Sequence, residues 1–130
     1  MGLDMYFFSA SPEQIEKTSD VSFKATGKRR DDHHEIQYFR KHNQLNGWLE
    51  SLYHEKGGKG DFNCSTMIMN DNDFKRLRMD IRGNKLAPAS GFFWGDLTID
   101  KEVKKQYYAF IKEARKRIAN GEIIYYYPNW

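Results

Sequence analysis

The sequence predicts an α+β fold, a small antiparallel sheet with about three helices packed on one face. Three observations carry it. Leu3, Met5 and Phe7 alternate with Asp4, Tyr6 and Phe8 near the start, and a second alternating segment, EIIYYY, lies near the end. Between them, apolar residues recur at helical spacing in three separate stretches. Strand patterns and helix patterns do not alternate regularly along the chain, which disfavours a parallel βαβ layout.

The elements follow in order. Residues 1–10 read as a strand of period two. Ser11-Pro12-Glu13-Gln14 opens a short helical turn, with Ser11 as cap and Pro12 at the first helical position. The rest of the segment to Asp32 is polar, and Lys28-Arg29-Arg30-Asp31-Asp32 reads as a solvated loop. Glu35–Arg40 forms a second strand, with Ile36, Tyr38 and Arg40 predicted on one face. Asn43 caps a helix whose stripe is Leu45, Trp48, Leu49, Leu52 and Tyr53, ended by Gly57-Gly58. Phe62–Met69 is a candidate short strand. The run Asn70-Asp71-Asn72-Asp73 offers caps for a helix carrying Phe74, Leu77 and Ile81 and stopped by Gly83. Pro88–Gly95 is a loop. Asp100 caps the longest helix, which turns Val103, Tyr107, Phe110, Ile111, Ala114 and Ile118 inward and ends at Gly121. Glu122–Tyr127 is the last strand, expected beside the first in one sheet.

The 130 residues suit a single domain spanning 1–130. A chain of this length buries roughly two thirds of the surface its unfolded form exposes, so it needs no metal or disulfide staple. The lone Cys64 fits a reducing compartment. With no apolar run of membrane-spanning length and no signal-peptide pattern, the expected location is the cytoplasm, and no membrane partner is expected. Net charge is only +3, and the basic residues are interspersed with 18 acids. A long nucleic-acid partner is therefore not expected, although the sign slightly favours an anionic ligand.

Three Trp, eight Tyr and nine Phe are many for this length. They concentrate in two places. Ser90-Gly91-Phe92-Phe93-Trp94-Gly95 sets three aromatics between glycines, either as a stacking surface for a planar ligand or as a plug seating the loop on the core. Tyr125-Tyr126-Tyr127-Pro128-Asn129-Trp130 ends the chain on a ring that must dock, on the core, on a second copy or on a partner. Arg40 and Lys41, beside the helix start at Asn43, form either an anion site suited to phosphate or a solvated basic pair.

Signals for catalysis are weak. Cys64 has no base marked by spacing, and Asp31/Asp32 and Asp71/Asp73 sit where turns and caps are expected. His33 and His34 are adjacent and so point to opposite faces of a strand, a poor arrangement for one ion, and no zinc-ligand spacing occurs. Neither an enzyme, nor a metal, nor a cofactor is expected.

Several segments together resemble a family. They are Met1-Gly2-Leu3-Asp4-Met5-Tyr6; Glu35-Ile36, Tyr38-Phe39-Arg40-Lys41 and Asn43, with Trp48; Asn63-Cys64; Pro88 with Ser90-Gly91-Phe92-Phe93-Trp94-Gly95; and Tyr125-Tyr126 with Trp130. They are similar to small proteins of bacteriophages and bacteria that open MGLDMY, most of them hypothetical proteins. The chain departs from that pattern at Phe39, at Trp94 and in its YYYPNW ending. The resemblance implies a phage anti-defence role, that of an anti-CBASS sponge that sequesters a cyclic (di)nucleotide immune signal without cleaving it, in the host cytoplasm. Tyr6, Arg40, Lys41, Asn43, Ser90, Gly91, Phe93, Trp94, Tyr127 and Trp130 are the expected ligand-binding residues, and a homo-oligomer sharing pockets is the expected assembly. The competing reading is an inhibitor that grips a host enzyme through exposed aromatics. A single-strand nucleic-acid binder is a third.

Overall fold

The computed structural model describes residues 2–17, 23–25, 33–87, 94–95 and 97–130. Its elements are β1 (Asp4–Ala10), a single 3-10 turn (Pro12–Gln14), β2 (Ile15–Lys17), β3 (Phe23–Ala25), β4 (His34–Arg40), α1 (Asn43–Glu55), β5 (Met67–Met69), α2 (Asp71–Arg82), α3 (Lys101–Ala119) and β6 (Ile123–Asn129). A four-stranded antiparallel sheet runs in the order β4-β1-β6-β5, and β2 pairs with β3 in a separate hairpin. The architecture is α+β. The first and last strands are neighbours, with Tyr6 opposite Tyr127 and Phe7 opposite Tyr126.

Alternation decides what each strand gives to the core. Leu3, just before β1, and Met5 and Phe7 on it are fully buried, as are Met67 on β5 and Ile124 and Tyr126 on β6. They pack with Leu45, Leu49, Leu52 and Tyr53 of α1, Phe74, Leu77 and Ile81 of α2, and Tyr107, Phe110, Ile111 and Ala114 of α3 in one cluster. All three helices therefore cover one face, each through its apolar stripe. Asn70 and Asp73 cap α2 reciprocally, Asn70 Oδ1 accepting from the Asp73 amide at 2.8 Å and Asp73 Oδ2 from the Asn70 amide at 2.9 Å. Asp100 Oδ1 accepts from the Val103 amide at 3.0 Å and starts α3.

Four expectations change. The β1–β4 register slips between Phe7 and Phe8, where Gln37 and Glu35 are the partners and Ile36 is the extra residue. This bulge turns Ile36 toward the core cluster, so it does not share a face with Tyr38 and Arg40. Phe62–Met69 is not one strand, because Ser65 N bonds back to Phe62 O at 3.0 Å and Cys64 takes φ 64°, a turn that delays pairing until Met67. His42, not Asn43, is the residue before α1, and Asn43 lies inside its first turn. The stretch after Ser11, read as polar, contains the β2–β3 hairpin. The loop expected at Lys28–Asp32 lies outside the described residues.

Candidate functional site

The sheet's second face carries no helix among the described residues. Part of it is covered: Phe8, Ala10, Ile15, Ile68, Ile123 and Tyr125 form a small satellite cluster, and His33 Nδ1 lies 2.6 Å from the Tyr125 hydroxyl. Beyond that cluster three tyrosines stand side by side. Tyr38 of β4 is opposite Tyr6 of β1, which is opposite Tyr127 of β6. Ring centroids are 5.2 Å apart for Tyr6–Tyr38 and 6.3 Å for Tyr6–Tyr127. Tyr38, on the edge strand β4, is 40% exposed. The row is a consequence of register: all three residues occupy outward positions of adjacent strands, so the pleat places them in one line across the sheet.

The next row holds the charges. Tyr38 donates its hydroxyl proton to Asp4 Oδ1 at 2.5 Å, and Arg40 Nε lies 3.4 Å from the same oxygen. The bond to Asp4 pushes the Tyr38 phenol up to about 12. Burial first, then the negative charges of Asp4 and Glu35, raises Tyr6. Both phenols are therefore neutral near pH 7 and can donate hydrogen bonds. Asp4 and Glu35 outnumber Arg40, so the row's surroundings are net negative and this face attracts a ligand by ring contact rather than by field. A phosphate reaching Arg40 would compete with Asp4.

Lys41, Trp94-Gly95 and the aromatic tail converge at one end of the sheet. Lys41 N donates to Leu3 O at 2.8 Å, which turns the chain from β4 into α1 with Lys41 at φ 58°. Gly95, at φ 83°, lies so close that a Cβ there would stand 2.9 Å from Lys41 Cβ; only glycine permits both that backbone and that approach. Trp94 meets Trp130 edge to face, centroids 5.2 Å apart. Trp130 also packs near Phe62 at 6.3 Å, and its backbone is clasped by Asn63, Oδ1 accepting from Trp130 N at 2.9 Å and Nδ2 donating to Trp130 O at 2.7 Å.

These contacts correct the expected site. Trp94 is 6% exposed and packs in the core cluster, so little of its ring is left for a base, and that little lines a cleft with Trp48 away from the tyrosine row. Trp130 is half-buried against the core, because Tyr126, Pro128 and Trp130 alternate toward the helices while Tyr127 points the other way. Asn43 is buried at 6%, inside the first turn of α1. Tyr6, Tyr127 and Arg40 meet on the opposite face, and Lys41 is exposed at the sheet end. Ser90, Gly91 and Phe93, with Phe92, lie outside the described residues. Tyr38 is the member of the row that sequence reasoning missed; three outward tyrosines on three pairing strands were the signal.

Two further reactive side chains lie away from the row. Cys64 is exposed, and its Sγ has only Asn63 and Asn129 side-chain oxygens nearby, at 3.5 and 3.6 Å. Burial drives His42 down to about 4; it is stacked on Phe39 and hydrogen-bonded to the Tyr107 hydroxyl at 2.7 Å. Among the described residues no group of three or more His, Cys, Asp or Glu side chains is placed to hold a metal ion, and no helix is long and apolar enough to cross a membrane. Compared with protein-family models, curated proteins and solved structures, the chain matches none.

Proposed function

We propose that this protein binds a nucleotide without turning it over, holding a base against the Tyr38–Tyr6–Tyr127 row with Arg40 beside it. The observation that supports this reading most is the row itself, three neighbouring rings tilted by 45° and 34° to one another across adjacent strands, with Tyr38 exposed and Tyr6 and Tyr127 partly so. Flat rings on a sheet face are a sequence-tolerant platform for bases. The resemblance to phage sponge proteins narrows the ligand to a cyclic (di)nucleotide immune signal, sequestered in the host cytoplasm.

Magnitudes favour an assembly. Stacking contributes roughly 1–3 kcal/mol per base, and a charge-assisted bond to phosphate about 1.5–3 kcal/mol. Two of each give on the order of 5–12 kcal/mol before the cost of lost ligand freedom, whereas nanomolar binding requires about 12 kcal/mol net. One open face falls short. Two copies enclosing a ligand between their tyrosine rows reach it, so a homodimer or larger closed oligomer accompanies the proposal.

Calorimetry with a panel of cyclic mono- and dinucleotides tests it, together with light scattering with and without ligand. The expected result is binding that Tyr38→Ala weakens by about 1–3 kcal/mol, with the nucleotide recovered intact after denaturation. If no cyclic nucleotide binds, or Tyr38→Ala binds like the parent, the proposal fails. The exposed ring of Tyr38 would then favour the second reading, a protein interface anchored by aromatics, which does not depend on Arg40.

A further inference from the structure

The helix layer carries a second, chemically different surface. α2 and α3 together hold eleven of the 21 Lys and Arg residues but five of the 18 acids. Along the chain these charges are interspersed; in the fold they separate. Several cations turn away from the layer's centre toward carboxylates: Arg76 pairs with Glu55 at 3.0 Å, and Arg117 pairs with Glu113 at 2.9 Å and Glu122 at 3.1 Å. Asp73 is buried against Lys56.

Other cations, some paired and some not, line the groove between the two helices. Lys75, Arg78 and Arg82 recur at i, i+3 and i+7 on α2, and Tyr108, Lys112 and Arg115 at i, i+4 and i+7 on α3. A cavity of about 330 Å³ is lined by Arg78, Tyr108, Ile111, Lys112 and Arg115. An adjoining one of about 270 Å³ is lined by Lys75, Arg78, Met79, Arg82 and Arg115. Asp71 is paired with both Arg115, at 2.8 Å, and Lys75, at 3.4 Å. Among the described residues Arg78, Arg82 and Lys112 have no carboxylate within ion-pair distance. Like charges at i, i+3 and i, i+4, such as Arg78/Arg82 and Lys112/Arg115, repel and weaken a helix unless a counter-anion lies between them.

We infer that this groove is a docking track for a single-stranded nucleic acid. Two rows of cations focus field along a cleft and neutralise a phosphate chain. Arginine forks suit phosphate oxygens. The floor adds what an acidic peptide would not require: the Tyr108 ring, Ile111 and Met79, the last 71% exposed. A cationic groove with an aromatic floor is the common plan of strand-tracking proteins. From Tyr108 to Arg115 the track spans about 10 Å of helix, room for about three nucleotides at stacked spacing. The inference is independent of the tyrosine row on the sheet's other side.

Fluorescence anisotropy on the full chain tests it. The probes are a labelled single strand of about twelve nucleotides, its duplex, and poly-glutamate. The single strand is expected to bind best, with affinity falling steeply between about 50 and 200 mM salt. The double variant Arg78→Glu/Lys112→Glu is expected to lose at least about tenfold in affinity and to flatten that salt dependence. A control of equal net charge, Lys59→Glu/Lys85→Glu, away from the groove, is expected to stay within about twofold. Circular dichroism reports folding, and the milder Arg78→Gln/Lys112→Gln replaces the reversal if the latter unfolds. The inference is overturned if the single strand does not bind at low salt, if duplex or poly-glutamate binds as tightly, or if both double reversals weaken binding equally.

Discussion

Tyr6 and Phe7 are adjacent aromatics on one strand, and the two faces of the sheet give them opposite work. Phe7 is fully buried, with the Phe110, Tyr126 and Phe39 rings at 4.4, 4.7 and 6.3 Å. Tyr6 lies in a row that remains partly open and is ringed by Asp4, Glu35 and Arg40. The helix-covered face spends its aromatics on cohesion. The other face carries more ring surface than cohesion needs, which is where a ligand can add its own. The contrast also holds for polar groups: on the covered side Tyr126 donates to Asn46 at 2.7 Å, both residues fully buried, whereas on the other side the Tyr38–Asp4 bond is solvent-exposed.

The largest expected difference is in stability. Phe7→Ala should cost about 3–5 kcal/mol through lost burial and a cavity, and Tyr6→Ala no more than about 1.5 kcal/mol, both read from urea unfolding. Equal losses would mean that the tyrosine row is core.

Acid should act on the covered side next. His42 is held down to about 4 by burial, against 6.5 for an ordinary histidine. Between those values the unfolded chain binds the proton and the fold does not, so stability is full above the ordinary value and falls as pH drops toward the folded one. The loss between about pH 7 and pH 5 should be at most about 2 kcal/mol, reduced by solvent screening of a group that is only partly buried, and His42→Gln should remove that slope. The carboxylates Asp71 and Glu122, lowered chiefly by hydrogen bonds from Arg115 and Ser9, add their loss at lower pH.

A smaller effect separates two hydroxyls. Tyr126→Phe leaves the buried Asn46 oxygen without its donor and should cost about 1–2 kcal/mol. Tyr38→Phe gives up a bond at the surface and should change stability by within about 0.5 kcal/mol. Thermal unfolding of the pair decides. The smallest change is local: Asp4→Asn should bring the Tyr38 phenol from about 12 back toward about 10, measured by ultraviolet titration, with the melting temperature nearly unmoved.

The helices were legible because each announces itself locally. Asn70 and Asp100 precede apolar stripes at helical spacing, and glycines follow at 83 and 121. The strand faces were legible for β1 and β6, where alternation is unbroken. They were not legible for β4, because the bulge at Ile36 depends on its pairing with β1. The candidate site was half legible. Tyr6, Tyr127 and Arg40 lie on one face, whereas for Trp94 and Trp130 the sequence leaves stacking on a ligand and docking on the core both open, and the fold packs both against the core cluster.

By itself the sequence determined the class of fold, the three helices and their inward stripes, because caps, turns and periodicity act over a few residues. Tertiary structure alone decided which rings are spare and where charge accumulates. Exposure of Tyr38 depends on three strands in register. The cationic groove depends on α2 and α3 lying side by side, with Arg76 and Arg117 drawn off by carboxylates elsewhere. Both are relations between residues far apart in the chain, set by packing that no local pattern records.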